Sequence, residues 1–207
     1  MDFKGFTNSD FEVFSIDGLD PRMAALKDQI RPKLEALGDY FTPRLTDLTD
    51  EQMVYHVAKH ARRTVNPPKD TWVAFAANRR GYKKHPHFQI GLWPTHVFIR
   101  LAVINESPDK ESIAKLLMED GSAIMDAFPK SFVWSDDHTK PNIMEKPSPD
   151  LLQRLGKVKK AEFLVGLDIS RDQAVQEGEA ILTTIQSTFE HLAPLYSGMT
   201  RSLSHSS

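Results

Sequence analysis

Cysteine is absent from the 207 residues. Its absence excludes a disulfide framework, zinc sites built on thiolates and cysteine nucleophiles, and it is typical of a reducing compartment. Long apolar runs are missing as well, since no stretch approaches the about 18 apolar residues of a membrane span. The first residues lack the basic start and apolar run of a secretory signal, so we expect a cytoplasmic protein with no membrane partner.

Several catalytic and cofactor motifs are also missing. The chain contains no glycine-rich phosphate loop, no dinucleotide fingerprint and no Gly-x-Ser-x-Gly elbow. The sequence therefore indicates no cofactor, and it leaves open whether the protein is an enzyme.

Charge is distributed unevenly along the chain. Residues 52–105 hold nine Lys and Arg against one acid, Asp70, whereas the whole chain has a net charge of −2. That segment therefore carries about +8 and the remainder about −10. Such a split favours a basic face that would attract an anionic partner.

Apolar periodicity predicts the first part of the fold. From residue 23 to residue 48 large apolar residues recur every three or four positions, which is a helical stripe. Pro32, Gly38 and Pro43 interrupt this stripe, and an interior proline costs a helix about 3 kcal/mol. We therefore expect two or three short helices here rather than one.

The middle of the chain changes to strand-like alternation. Residues 71–77, 87–93 and 96–104 are rich in aromatic and β-branched side chains and joined by short connections, so they predict a three-strand antiparallel meander. Shorter patterns at 131–135 and 161–169 predict two further strands.

Capping signals predict the later helices. The tripeptide Ser-Pro-Asp occurs at 107–109 and 148–150, and Ser170 begins a final helix that we expect to end at Pro194. Together these elements predict an α+β fold with a mainly antiparallel sheet of about five strands covered by helices from both ends. Residues 1–196 are expected to form a single domain and 197–207 a flexible tail.

Several long motifs resemble the YktB-like family of uncharacterised proteins from Gram-positive bacteria. The motifs are GFTN (5–8), SIDGLDPR (15–22), HVAKHARR (56–63), NPP (66–68), RGYKK (80–84), PHFQIGLW (86–93), SFVW (131–134) and DHTKP (137–141). The resemblance covers most of the chain. It implies a compact single-domain α+β fold and implies nothing about activity.

The connection 78–86 concentrates cations between two predicted strands. Arg79, Arg80, Lys83 and Lys84 suit phosphate, and Tyr82 could stack on a base. The alternative is a solvated hairpin tip without a ligand.

One face of the predicted second strand is polar. His87, Gln89 and Trp93 alternate there, and Arg100 on the next strand is expected nearby. This face is either a polar lining suited to an anionic ligand or the water-facing side of a half-buried sheet.

Histidines and acids offer a second kind of site. His56 and His60 are four residues apart, so a helix or a strand would put both on one side. Asp136, Asp137 and His138 follow a predicted strand and would complete a metal-assisted or acid–base site if the fold brought them close.

The leading hypothesis is a binding module for an anionic ligand, either a nucleic acid or a phosphorylated small molecule. Its predicted binding residues are Arg62, Arg63, Arg79, Arg80, Tyr82, Lys83, Lys84, His87, Trp93 and Arg100, with the two aromatic rings as stacking surfaces. The alternatives are the small enzyme using His56, His60, Asp137 and His138, and a protein-interaction or structural domain.

Overall fold

A six-stranded antiparallel sheet organises the molecule. The computed structural model describes residues 3–119, 121–147 and 149–204. The strands are Val54–Val57 (β1), Thr71–Ala76 (β2), His87–Trp93 (β3), His96–Val103 (β4), Val133–Ser135 (β5) and Phe163–Ser170 (β6). Their order is β1-β2-β3-β4-β6-β5, and all neighbours are antiparallel. The predicted α+β class and central meander are confirmed; β1 is the strand that periodicity missed.

The helices come from both ends of the chain and from the segments between strands. They are Asn8–Glu12 (α1), Leu19–Ala25 (α2), Arg31–Thr49 (α3), Lys110–Glu119 (α4), Ser122–Asp126 (α5), Pro149–Lys157 (α6), Arg171–Glu177 (α7) and Ile181–Ser204 (α8). Short 3-10 turns occupy Val13–Ser15 and Gly178–Ala180. No helix within the described ranges has the length and apolar character needed to cross a bilayer.

The first long stripe forms one continuous helical rod, so the prediction that prolines divide it is wrong. A π-turn at Leu26–Ile30 joins α2 to α3, and Pro32 is the second residue of α3, directly after that turn. Pro43 lies inside α3, flanked by side chains that bond backbone carbonyls: Thr42 donates to Gly38 O (2.6 Å) and Arg44 to Tyr40 O (2.7 Å).

The single final helix predicted from Ser170 to Pro194 is wrong in two respects. It is divided at Gly178 into α7 and α8, and it continues beyond Pro194. α8 passes through Pro194 and ends at Ser204, because Tyr196 and Met199 are buried in the core. Tyr196 additionally donates a hydrogen bond to Glu51 (3.0 Å). Residues 197–204 are thus helical where the sequence predicted a flexible tail, and 205–207 lie outside the described residues, as does the predicted cap Ser148.

The main core lies between the helices and one face of the sheet. Phe189 of α8 is central: its ring lies 5.4 Å from that of Phe41 in α3 and 5.3 Å from that of Phe88 in β3. The apolar members of each alternating strand point to this face.

The opposite face of the sheet is polar yet buried, so its interpretation as a water-facing side is wrong. Ala74, Gln89, Arg100 and Gly166 form one row across β2, β3, β4 and β6. The chain after β1, β2 and β5 lies over this face: His60 contacts Trp72, Tyr82 packs on the alanines of β2, and 137–143 lie beside Gln89. The predicted polar lining therefore exists inside the protein.

Gly91 leaves space on this covered face for the ring of Phe98, because it has no side chain. It pairs with Trp72 on β2 and Phe98 on β4, and a Cβ here would strike the Phe98 ring and lie 2.6 Å from Thr71 O. We expect Gly91→Ala to lower the free energy of unfolding by about 1–3 kcal/mol through overpacking, measured by urea unfolding.

The control is Gly198→Ala in α8, where an added Cβ meets nothing within 4 Å. This helix-interior change should stabilise the protein by about 0.5–1 kcal/mol. Equal effects of the two substitutions would contradict the packing argument.

Candidate functional site

Two adjoining grooves collect most of the predicted cations. The first, with a volume of about 580 Å³, lies between the end of β1 and the connection 78–85, and its charged lining is Lys59, Arg80, Lys83 and Lys84. The second, of about 500 Å³, is lined by Lys59, Arg62, Arg63, Lys83 and Lys84 together with Glu106. We call them the basic grooves.

Few carboxylates face these cations. Within the described ranges, Lys83 is the one groove cation with an acid within ion-pair distance, Glu106 at 3.1 Å. Arg63 donates instead to Asn66 O (3.4 Å). The predicted residue Arg79 is exposed but lines neither groove.

Polar contacts order the connection that carries the cations. Asn78 accepts from the backbone N–H of Arg80 at 2.8 Å, and its amide bonds His85 Nε2 at 2.9 Å. The Tyr82 hydroxyl accepts from Trp72 Nε1 (3.0 Å), and its ring packs edge-on against His87 at 4.8 Å between centroids. The loop is therefore attached to the covered face of the sheet.

The same attachment corrects the predicted stacking surfaces. Tyr82 is 9% exposed and Trp93 is 7% exposed. A base needs a free ring face, and neither ring offers one. Tyr82 instead forms the floor of both basic grooves.

A third cavity, with a volume of about 30 Å³, opens on the covered face. We call it the sheet pocket. Its lining includes Asp70, Trp72, Gln89, Trp93, His96, Phe98, Arg100, Ser135, Asp137, His138, Lys140 and Asn142. Trp72 lines both this pocket and the second basic groove, so the two cavities adjoin.

Arg100 belongs to this pocket and not to a basic surface. It is 4% exposed and forms an ion pair with Asp168 on the neighbouring strand β6. His96 Nε2 lies 3.7 Å from the same carboxylate. Burial lowers the pKa of His96 despite the opposing effect of Asp168, so Asp168 is the counter-ion of Arg100 alone at neutral pH.

His87 does not line the sheet pocket, but it contacts Gln89, which does. It is fully buried, its Nδ1 lies 2.8 Å from His85 O and its Nε2 lies 2.8 Å from the amide nitrogen of Gln89. Burial lowers its pKa to about 4, so the ring is neutral: Nδ1 donates to His85 and Nε2 accepts from Gln89. His87 thereby fixes the orientation of Gln89 without touching a ligand itself.

Glu162, just before β6, is 2% exposed and holds His138. Its carboxylate accepts from His138 Nδ1 (2.7 Å), from the His138 backbone N–H (2.7 Å) and from Asn105 N–H (3.1 Å). Burial disfavours the imidazolium, but the hydrogen bond and charge of Glu162 outweigh burial and raise the pKa of His138.

Lys110 fixes the turn from which Glu162 emerges. Its ammonium donates to the carbonyls of Val158 (3.1 Å), Lys159 (2.7 Å) and Ala161 (2.9 Å). This contact between α4 and the turn after α6 determines where the Glu162 carboxylate lies.

Asp70 is the buried acid without a counter-ion. Within the described residues, no cation lies within ion-pair distance of it, and its own backbone N–H is its hydrogen-bond donor. Burial raises its pKa to about 6, against the opposing charges of His138 and Arg63.

The residues of the predicted metal or acid–base site are divided between cavities. His56 lies in β1 and bonds Asn78 O (2.9 Å), whereas His60 follows the strand in a left-handed conformation (φ 50°) and bonds Thr71 Oγ1 (3.2 Å). They line different basic grooves, and Asp137 and His138 line the sheet pocket. The four side chains do not share one cavity.

Asp137, His138 and Glu162 do form one cluster, with a ligand atom from each within 4.8 Å of the others. These atoms already have partners, because Asp137 accepts from Lys140 (2.8 Å) and Thr139 (2.6 Å) while Glu162 accepts from His138. A cation bound here would have to displace these hydrogens, and the arrangement is that of an ion-pair network.

Sequence reasoning missed Asp70, which lines the sheet pocket, and Glu162 and Asp168, the two acids that pair with residues of that pocket. Asp70 had a usable signal, since it is the lone acid of the basic segment. Glu162 and Asp168 had none, because their partners lie 24 and 68 residues away along the chain.

Fold and site thus define an α+β protein whose sheet is covered on one face by helices and on the other by loops that enclose polar groups. A family model described as "Domain of unknown function (DUF1054)" matches residues 6–196, and the chain belongs to that family. It is 52% identical over 198 residues to a UPF0637 protein of Bacillus licheniformis, covering 92% of this chain and 94% of that protein. A UPF0637 protein of Bacillus mycoides is 50% identical over 203 residues, covering 95% and 98%.

The unpaired state of Asp70 has a consequence for stability. Its pKa rises from 3.8 when the chain is unfolded to about 6 in the fold. Folding thus favours the protonated acid, and the contribution of Asp70 to stability falls as pH rises from about 4 to 6. Above pH 6 its cost is about 2–3 kcal/mol. We expect Asp70→Asn to match the parent protein in urea unfolding at pH 4 and to be more stable at pH 7.5.

Asp136→Asn is the matched control, because Asp136 is exposed next to the same pocket. Its stability at both pH values gives the effect of removing a carboxylate from an exposed position. A stability difference between Asp70→Asn and the parent that is the same at both pH values would contradict the assigned cause.

Proposed function

We propose that the protein binds a phosphate-bearing anionic ligand, a nucleic acid or a phosphorylated small molecule, in the basic grooves. The observation that carries the proposal is the convergence of Lys59, Arg62, Arg63, Arg80, Lys83 and Lys84 on two adjoining cavities, with one ion pair among them in the described structure. Cations that lack counter-ions keep their full attraction for an anion.

Groove dimensions and residue types agree with this ligand class. The groove volumes of about 580 and 500 Å³ fall within the range of about 300–1,000 Å³ that is typical of small-molecule sites. Arginine forks match phosphate oxygens in pairs, and lysines add mobile charge. The buried Tyr82 keeps the floor of the grooves fixed, so the cations on the loop need little ordering upon binding.

Titration with short single-stranded RNA, with DNA of matched sequence and with ATP tests the proposal by fluorescence anisotropy and competition. We expect binding whose affinity falls steeply between about 50 and 200 mM salt. Replacement of Arg62, Arg63, Lys83 and Lys84 by Gln should weaken binding at least about tenfold and flatten the salt dependence, because four phosphate contacts are lost.

The control replaces Lys115, Lys130, Lys146 and Lys157 by Gln, which changes net charge equally at exposed positions outside the grooves. This variant should bind like the parent. Preference for ATP over both oligonucleotides would identify a small-molecule site, and the reverse would identify a nucleic-acid site. No binding by any probe at low salt, or equal losses in both variants, would overturn the proposal.

A further inference from the structure

We propose that the ligand of the basic grooves is a ribonucleotide with a 3′-phosphate, as in an RNA strand, and that Glu106 selects it by accepting a hydrogen bond from the ribose 2′-hydroxyl. This inference rests on the proposed function, and it adds the sugar to the phosphate-bearing ligand class. Among the residues that line either groove in the described part of the chain, Glu106 is the one acid, and it lines the second groove beside five cations.

A turn directly after β4 fixes the position of Glu106. The backbone N–H of Ser107 donates to Ile104 O (3.0 Å), so Glu106 is one of the two central residues of the turn. The residues at both ends of the turn are buried, and the backbone N–H of Asn105 donates to the buried carboxylate of Glu162 (3.1 Å). The Glu106 side chain therefore lies on a rigid backbone, which a residue that selects between ligands requires.

The Glu106 carboxylate has acceptor capacity to spare. Its Oε1 accepts from Lys83 Nζ at 3.1 Å, and its Oε2 has no hydrogen-bond partner among the residues that the structure describes. The side chain is 39% exposed, so a ligand in the groove has access to it. Because a carboxylate accepts hydrogen bonds and donates none, it binds a hydroxyl and repels a phosphate.

Binding of phosphate alone gives no reason for an acid at this place. A carboxylate among cations weakens their attraction for an anion. The ion pair between Lys83 and Glu106 is also largely exposed, and pairs of that kind contribute little to stability. A ribose accounts for the acid, since Asp or Glu binds the ribose 2′-hydroxyl in dinucleotide sites and the 2′-hydroxyl is the group by which proteins distinguish RNA from DNA.

The spacing of Lys83 and Glu106 matches the two neighbouring groups of a ribonucleotide. In RNA the 2′-hydroxyl and the 3′-phosphate are attached to adjacent carbons of the sugar. Lys83 Nζ and Glu106 Oε1 are likewise adjacent, and the lysine ammonium has three donors, so it can bind a phosphate oxygen while it keeps its bond to Glu106. One nucleotide can thus present its phosphate to Lys83 and its hydroxyl to Glu106.

The test compares oligoadenylate strands of equal length made as RNA, as DNA and as 2′-fluoro RNA, which keeps the ribose-like sugar pucker without the donor hydroxyl. Fluorescence anisotropy with the full chain should show about tenfold tighter binding of RNA than of the other two, because a hydrogen bond to a charged acceptor is lost. Adenosine 3′-monophosphate should likewise compete better than its 2′-deoxy form. Tighter binding of the RNA than of the monophosphate assigns the ribose to a strand, and the reverse assigns it to a free nucleotide.

Two substitutions separate hydrogen bonding from charge. Glu106→Ala removes the acceptor, and Glu106→Gln keeps its shape without the charge. Both variants should bind DNA more tightly than the parent, because a negative charge leaves the groove. The preference for RNA over DNA should disappear in Glu106→Ala and decrease in Glu106→Gln. If Glu106 acted through charge alone, the affinities for RNA and DNA would rise equally and the preference would stay.

Glu145→Ala is the matched control, since Glu145 is an exposed acid outside both grooves. It changes the net charge equally and should keep the preference for RNA. The inference is overturned if the parent protein binds the three strands equally, or if the preference survives in Glu106→Ala. In either case binding is retained and the proposed function stands, whereas absence of binding by every probe overturns the proposed function and this inference with it.

Discussion

Burial of the second sheet face is the constraint on which the site depends. Loops close over strands that carry Arg100, Gln89 and His87, so these groups lose their water and need partners inside the protein. Desolvation costs several kcal/mol per ion, which a single well-placed counter-ion offsets only with further hydrogen bonds. Arg100 has Asp168, His138 has Glu162, and Gln89 has His87.

Against this background the exceptions are informative. Asp70 inside the pocket and five of the six groove cations outside it lack ion-pair partners in the described structure. An unpaired buried acid lowers stability. Asn or a small apolar residue would pack equally well at the same position. Selection tolerates such costs mainly where activity needs them. The two sets lie on either side of Trp72, which lines both the sheet pocket and the second basic groove.

The periodicity of apolar residues predicted most of the helices and strands. The stripes and alternations predicted the meander, β5, β6 and the later helices, since each depends on local spacing that burial then enforces. The sequence pattern predicted the wrong helix ends where tertiary packing outweighed the local preference of proline. A π-turn accommodates Pro32 without ending the helix, and the burial of Tyr196 and Met199 extends α8 beyond Pro194. β1 has four half-buried residues and too short a pattern to detect.

The sequence predicted only those residues of the site that are neighbours along the chain. The basic loop stands out because its cations are neighbours, whereas Glu162 and Asp168 meet their partners through the register of β6. The alternation of polar and apolar residues likewise indicates that the two faces of a strand differ. It does not indicate whether water or another part of the chain covers the polar face. For this reason the sequence predicted Arg100 on a basic surface, whereas the structure buries it beneath the loops that cover the sheet.

Tyr82 links the two halves of the site physically. It holds the cationic loop against the sheet, and its hydroxyl accepts the indole N–H of Trp72, whose ring forms the wall between groove and pocket. Any movement of Lys83 or Lys84 therefore acts on a loop whose anchor touches the pocket wall. Because that anchor is packed among alanines and His87 rather than exposed, displacement of the loop would also disturb the partner of Gln89. The position of the cationic loop and the wall of the sheet pocket thus depend on the same buried phenol.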